Sequence, residues 1–119
     1  MGWLRRQRGA APVAGRAEQR AEIDRVRGHL EEFVRTRAGV EAYIEPPTTV
    51  TPPTVVLIAT TGEWTRRRLP DPGVVRDLAV KLAVPVYDVQ LVGYPQRMRD
   101  WNERMRRESR RPATEPTEG

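Results

Sequence analysis

The longest uncharged apolar run in the chain is Thr-Val-Val-Leu-Ile-Ala-Thr at residues 54–60. Seven residues are too few for a buried helix, and adjacent β-branched side chains favour a strand. Because the run is apolar at nearly every position rather than at alternate ones, it predicts a strand that is buried on both faces. We therefore expect a central strand of a sheet, with helices covering each side.

Three segments have apolar residues spaced by three and four, which is typical of amphipathic helices. They cover residues 16–38, 72–82 and 95–110. The first is followed by Gly39, which suits a left-handed cap. The second has a favourable start, because Asp71 can cap it and Pro72 fits its first turn. All three helices are expected to pack their apolar stripes on the sheet.

Three further segments predict strands beside the central one. They cover residues 40–45, 64–69 and 84–89. The first alternates, with Glu41, Tyr43 and Glu45 on one side. The second follows a short turn and predicts a hairpin, and its arginines on both faces predict an edge position. The third follows a helix and should run parallel to its predecessor or to the central strand, as in a crossover unit.

These elements predict an α+β, mixed α/β domain with the order α-β-β-β-α-β-α and a three- or four-stranded sheet. Residues 1–15 are expected to form a flexible basic arm, residues 16–111 the single domain, and residues 112–119 a disordered polar tail. The 119 residues suffice for one core without disulfides, and the chain contains no cysteine. No signal peptide or bilayer-length apolar segment is evident, which indicates a cytoplasmic protein.

The net charge of +5 is concentrated towards the two ends of the chain. Residues 97–111 carry seven arginines against three acids, and residues 1–15 carry three arginines and no acid. Clustered basic residues are typical of proteins that bind phosphate groups or other acidic partners. Twenty of the twenty-one basic residues are arginine, so compositional bias is an alternative explanation of this excess.

A surface rich in arginine is the first candidate site. We predict that it binds RNA or another polyanion through Arg66, Arg67, Arg68, Arg97 and Arg99, with Trp64, Tyr94 and Trp101 as stacking groups. The competing interpretation is that the strand arginines only prevent edge-to-edge association of the sheet. The outer face of the last helix is also rich in arginine and could lie on RNA.

A second candidate site uses apolar residues at the end of the chain. Tyr94, Met98, Trp101 and Met105 could form a partner-binding surface of a regulatory subunit. The alternative is that this stripe packs on the sheet. The loop at residues 90–95 follows a strand and precedes a helix, where ligand sites often gather.

Catalysis is the third and least favoured possibility. His29 is the only histidine and Ser109 the only serine, so a catalytic triad would depend on a residue near the end of the chain. Four acidic residues could instead bind Mg²⁺ for phosphoryl transfer. They are Glu41, Glu45, Glu63 and Asp88. Exposed acids on strands are usually only solvated, so we expect no catalytic site, cofactor or metal.

Four motifs between residues 40 and 100 carry a resemblance to other proteins. They are Val-Glu-Ala-Tyr-Ile-Glu-Pro, Gly-Glu-Trp-Thr-Arg-Arg-Arg, Pro-Val-Tyr-Asp-Val and Val-Gly-Tyr-Pro-Gln-Arg-Met-Arg-Asp. This half of the chain resembles a family of small actinobacterial proteins of unassigned function, some of which are labelled oxidoreductases. The residues supply neither a dinucleotide-binding turn nor a thiol pair. The resemblance therefore implies an origin and no mechanism.

Overall fold

The computed structural model of the protein describes residues 2–110, with side chains from residue 15 onward. Its elements are α1 (Gly2–Thr36), β1 (Glu41–Glu45), β2 (Thr54–Ile58), β3 (Trp64–Arg68), α2 (Pro72–Lys81), β4 (Val86–Asp88), α3 (Val89–Val92) and α4 (Gln96–Ser109). The α+β architecture and the predicted order of elements are confirmed, with the short helix α3 as an addition. The tail predicted at residues 112–119 lies outside the described residues.

The four strands form one mixed sheet in the order β3-β2-β1-β4. β2 pairs antiparallel with both β1 and β3, so it is an interior strand, as predicted. The predicted hairpin between β2 and β3 is present, and its turn is closed by a hydrogen bond of 2.8 Å from Ala59 N to Glu63 O. The arginines of β3 lie on an edge strand, which agrees with their expected position.

The direction of β4 agrees with the prediction, and its place in the sheet is one that the sequence left open. We expected β4 to run parallel to its predecessor or to the central strand. It does run in the direction of β3, but it pairs with β1 at the opposite edge. The connection has the length for this crossing: β3 and β4 are three strand spacings apart, about 14 Å, and the 10 residues of α2 extend about 15 Å.

The core has two parts, one on each face of the sheet. Val55 and Leu57 of β2 face α1 and α2, which contribute mainly aliphatic side chains. Val56 and Ile58 face the other side, where Tyr43 and Met98 complete a smaller cluster. The residues of β2 from Val55 to Ile58 are fully buried. The prediction that this strand is covered on both faces is confirmed.

Helix α1 is longer at its start than predicted. We predicted residues 16–38 as helix and residues 1–15 as a flexible arm, whereas the helix begins at Gly2 and ends at Thr36. The apolar stripe that guided the prediction marks only the part that contacts the sheet, with Val26, Leu30 and Phe33 buried. The stretch before it contains Gly9, Pro12 and Gly15, which are weak helix formers, so local propensity did not predict a helix there.

The predicted start of α2 is confirmed, whereas α1 ends at Thr36, two residues before the predicted end at residue 38. Gly39 has a φ of +62° after α1, and a Cβ at this position would lie 2.1 Å from Thr60 Oγ1. The side chain of Asp71 accepts a hydrogen bond of 2.9 Å from Gly73 N at the start of α2. Among the described residues, no helix has both the length and the apolar character needed to cross a membrane.

Candidate functional site

Two of the predicted anion-binding arginines lie on the same face of the sheet, but each is paired with a glutamate of β1. Arg66 donates two hydrogen bonds to the Glu45 carboxylate, at 2.8 and 2.9 Å. Arg97 contacts Glu41 Oε1 at 2.6 Å. Glu41 and Glu45 are at opposite ends of β1, roughly 13 Å apart along an extended strand. Arg66 and Arg97 therefore do not converge on one pocket, contrary to the predicted surface.

Glu45 is the centre of a hydrogen-bond network at one end of this face. Besides Arg66, the hydroxyls of Thr54 and Tyr94 donate to its carboxylate. Burial by itself raises the pKa of Glu45, but the hydrogen bonds from these three side chains outweigh burial and lower the pKa to about 2. Glu45 is consequently ionised at neutral pH and compensates the charge of Arg66. Tyr94, which was predicted as a stacking group, is one of the hydrogen-bond donors to Glu45.

Arg97 has a similar structural role at the other end of β1. Its Nε donates to the carbonyl of Ala59 at 2.9 Å, while Nη2 donates to Glu41. Tyr43 also donates to Glu41, at 2.9 Å. Burial and this hydrogen bond raise the pKa of Tyr43 to about 12, whereas the bond from Arg97 lowers the pKa of Glu41. The group ties α4 to β1 and to the end of β2.

The two tryptophans predicted as stacking groups are partly buried and in contact with neighbouring side chains. The indole N–H of Trp64 donates to Asn102 Oδ1 at 2.7 Å, and the guanidinium of Arg66 lies 5.1 Å from the centre of the Trp64 ring. In the same way, the guanidinium of Arg104 lies 5.3 Å from the centre of the Trp101 ring. Both rings thus bind arginines of this chain, which leaves less of each ring open to a base.

Arg67 lies on the other face of the sheet, beside α1. Its Nη2 is 3.1 Å from Nδ1 of His29, and Nε2 of His29 is 3.0 Å from Thr65 Oγ1. Because arginine only donates, Nδ1 must accept, and the proton of the neutral ring lies on Nε2. Burial and the nearby charge of Arg67 lower the pKa of His29. Arg67 is therefore separated from Arg66 by the sheet.

Arg68 and Arg99 differ from the other predicted arginines. Both are exposed, and neither forms an ion pair with the side chains described at residues 15–110. Arg99 donates to Gln96 Oε1 and to the Tyr94 carbonyl, both at 3.1 Å. Arg68 lies at the end of β3, opposite Thr54.

Helix α4 places further arginines beside Arg99. At 100° per residue, its inner side is marked by Met98, Trp101 and Asn102. The rest of its circumference faces solvent, from Arg106, about 40° from Asn102, to Arg107, which lies opposite Met98. We call the exposed arginines of that side the α4 basic face: Arg99, Arg106, Arg107 and Arg110. Glu103 lies among them, pairing with Arg106 and, at 3.7 Å, with Arg107.

The sequence identified this basic face but not all its members. Arg106, Arg107 and Arg110 were absent from the predicted set, which instead included the paired Arg66 and Arg97. Their spacing along the sequence could have identified them, because these residues lie on the helix away from the stripe formed by Met98, Trp101 and Met105. A rule that counted only helix positions opposite the apolar stripe would have found them.

The predicted partner-binding surface is mostly internal. Met98 is 5% exposed and belongs to the core. Tyr94 and Trp101 are partly buried, and only Met105 is exposed, at 37%. Of the two interpretations of this stripe, packing on the sheet describes Met98, Tyr94 and Trp101. The prediction that all four residues form an outer surface is wrong, because Met98 fills the second core cluster.

The acids considered for a metal site have other partners. Glu41, Glu45 and Glu63 each pair with an arginine, Glu63 with Arg37 at 2.7 Å. Asp88 caps α3 by accepting from Gln90 N at 2.8 Å. Within the described side chains, no three His, Asp or Glu residues are grouped so that they could hold a metal ion.

The arginines therefore fall into two groups. Arg66, Arg67 and Arg97 contact a carboxylate or His29 at the sheet, whereas Arg68 and the arginines of the α4 basic face are exposed to solvent. Comparisons with protein-family models, curated proteins and solved structures find no match to this chain.

Proposed function

We propose that the protein is a non-catalytic, cytoplasmic binding module that holds RNA or another polyanion on the α4 basic face. The observation that supports this proposal is the exposure of Arg99, Arg106, Arg107 and Arg110 on one side of a single helix, where the ion pairs of Arg106 and Arg107 are with one exposed carboxylate, that of Glu103. The proposal replaces the predicted surface, because Arg66 and Arg97 already neutralise Glu45 and Glu41. Guanidinium groups suit this role, since they remain charged and match phosphate geometry.

The expected affinity depends strongly on salt. Each phosphate that an arginine neutralises releases condensed counterions, and the slope of log K against log salt is about −0.7 per contact for a single strand. Four contacts give a slope of about −2.8, which is a loss of roughly fiftyfold between 50 and 200 mM salt. Glu103 opposes binding, so these values are upper limits.

The test compares two variants with the same change in net charge. In the first, all four arginines of the α4 basic face are replaced by glutamine. In the control, the same replacement is made at four exposed arginines outside α4 that form no ion pair with described side chains: Arg16, Arg20, Arg25 and Arg76. Binding to labelled RNA is followed by fluorescence anisotropy at several salt concentrations.

We expect the α4 variant to lose most of the affinity and most of the salt slope, and the control to lose much less. Equal losses in the two variants would show that net charge alone attracts the polyanion. Unchanged binding by the α4 variant would refute the proposed site. An affinity that does not depend on salt would contradict the mechanism.

A protein partner is the second proposal, and a different observation favours it. Leu91 and Val92 of α3 are 83% and 57% exposed, which is unusual for neighbouring large apolar residues. Purification of the tagged protein from its host with and without ribonuclease separates the two proposals. Partners held through RNA are lost on digestion, whereas direct protein partners are retained.

A further inference from the structure

The aromatic residues of the domain are engaged by other parts of the protein. Tyr43 and Tyr87 stack on each other with centroids 5.2 Å apart, and Phe33 lies in the core beneath Arg37. Trp64, Tyr94 and Trp101 make the contacts described above. Among the side chains described at residues 15–110, no aromatic residue falls in the exposed class. Binding of single-stranded nucleic acid commonly depends on such rings, because each stacked base contributes about 1–3 kcal/mol.

The solvent side of α4 carries only charged and polar side chains. They are Gln96, Arg99, Asp100, Glu103, Arg106, Arg107 and Arg110. No aromatic or aliphatic side chain among them could contact a base. The face therefore offers contacts to phosphates but none of the apolar or stacking contacts that hold unpaired bases.

Three of these arginines form a straight row. Arg99, Arg106 and Arg110 differ by no more than about 40° around the helix axis and span about 16 Å along it. The row is carried by a helix whose first half is fixed to the sheet through Met98, Arg97 and Asn102. Such a row is rigid, so it is matched best by phosphates that are themselves held at regular positions.

We infer that the polyanion is a double-stranded nucleic acid, bound through its phosphate backbone and not through its bases. This inference rests on the proposed function of the α4 basic face. A duplex presents phosphates at high density along a stiff rod, whereas a single strand must be ordered on binding and gains no stacking here in return. Duplex RNA and duplex DNA share this chemistry.

The expected preference follows from counterion release. The slope per contact is about −0.9 for a duplex and −0.7 for a single strand. With four contacts and equal affinity at 1 M salt, the duplex binds about tenfold more tightly at 50 mM salt. The preference should shrink as salt is added.

The experiment uses the full chain and four labelled probes of one sequence: single-stranded RNA, single-stranded DNA, duplex RNA and duplex DNA. Anisotropy gives the affinities at 50–200 mM salt. Tryptophan emission is recorded in a Trp3→Phe variant, so that Trp64 and Trp101 are the only reporters. The α4 glutamine variant and its control are measured in parallel.

Tighter binding of at least one duplex than of either single strand, with unchanged tryptophan emission, supports the inference. The affinities for duplex RNA and duplex DNA then show whether the protein prefers one duplex or binds both. Single strands bound as tightly as duplexes, or tryptophan quenching by single strands, would overturn the inference and leave the proposed function standing. Equal binding of all probes by the α4 variant and the unmodified protein would instead refute the proposed function.

Discussion

Helices α1 and α2 cover one face of the sheet with aliphatic side chains, whereas on the other face Met98 of α4 packs on a cluster rich in aromatic residues of the strands, bordered by ion pairs. The first face is held mainly by the burial of apolar surface. The second has a smaller apolar cluster, so polar contacts contribute a larger share of its stability. The comparison explains why Arg66 and Arg97 are structural, although both belong to an arginine-rich chain.

The same comparison separates stability from binding. At the border of the second face, Arg97 holds α4 on the sheet and Arg66 joins β3 to β1, whereas the arginines on the solvent side of α4 are available to a partner. Substitutions at the border should therefore change the free energy of unfolding, whereas substitutions at Arg106 or Arg110 should change it by less than about 0.5 kcal/mol. Three predictions test the contacts on the two faces of the sheet, beginning with the largest effect.

The largest effect is expected at Gly62, where the turn after β2 packs against α4. Gly62 has a φ of +93°, and an added Cβ would lie 2.0 Å from the Arg97 carbonyl oxygen and 2.9 Å from Trp101 Cβ. Gly62→Ala should lower the free energy of unfolding by about 3 kcal/mol, because the backbone of α4 would have to move. Urea denaturation measures this loss.

Gly39→Ala is the matched control on the side of α1. The added Cβ would meet the Thr60 hydroxyl, a side-chain group that can rotate, so the expected loss is smaller, about 1 kcal/mol. Loss of packing under α4 should also shift tryptophan emission in the Gly62 variant only. Equal losses at the two glycines would contradict the close attachment of α4.

The next effect concerns Glu45 and has a pH dependence. Replacement of Glu45 by Gln removes the negative charge to which Arg66, Thr54 and Tyr94 donate hydrogen bonds. The substitution should lower the free energy of unfolding by about 2 kcal/mol at pH 7. The pKa of Glu45 is lowered from 4.5 to about 2, so its contribution is complete above pH 4.5 and is lost as the pH falls towards 2.

Urea denaturation between pH 2.5 and 7 tests this prediction. The Glu45→Gln variant should lose less stability on acidification than the unmodified protein does. Glu18→Gln is the control, because Glu18 is exposed on α1 and forms no ion pair with described side chains. Parallel pH profiles for the unmodified protein and the Glu45 variant would show that the network does not hold the carboxylate ionised.

The smallest effect is expected on the first face, at His29. Burial and Arg67 lower the pKa of His29, so the neutral ring favours the folded state. Its contribution to stability is present above pH 6.5, the ordinary pKa, and is lost as the pH falls through the pKa of the folded state. Arg67→Ala should raise the pKa of His29 part of the way towards 6.5, since burial remains.

NMR measures this change directly, because His29 is the only histidine and its ring signals need no assignment. Arg68→Ala provides the control, since Arg68 is on the opposite face of β3. A pKa that is unchanged in the Arg67 variant would show that Arg67 does not contact the ring in solution.

Local patterns were sufficient for the elements whose residues are close in sequence. The apolar run at residues 54–60 predicted an interior strand because each of its faces needed cover. Asp71 and Pro72 predicted the start of α2, because one can cap a helix and the other fits its first turn. The arginines of β3 predicted an edge strand because charge on both faces of a strand is incompatible with burial.

The candidate site could be predicted only in part, because its contacts depend on pairing between distant strands. Arg66 and Glu45 are 21 residues apart and meet only through the register of β1, β2 and β3. Arg97 and Glu41 are 56 residues apart and meet only once α4 lies across the sheet. A list of arginines could not show which of them already had partners.

By itself, the sequence determined the type of each element, the interior position of β2 and the presence of an arginine-rich side on α4, because these depend on the period of a helix or a strand. Only the tertiary structure decided that β4 pairs with β1, that α4 covers the aromatic face, and which arginines remain exposed. Those features arise from contacts between segments far apart in the chain, and hydrophobic periodicity carries no information about which segments meet.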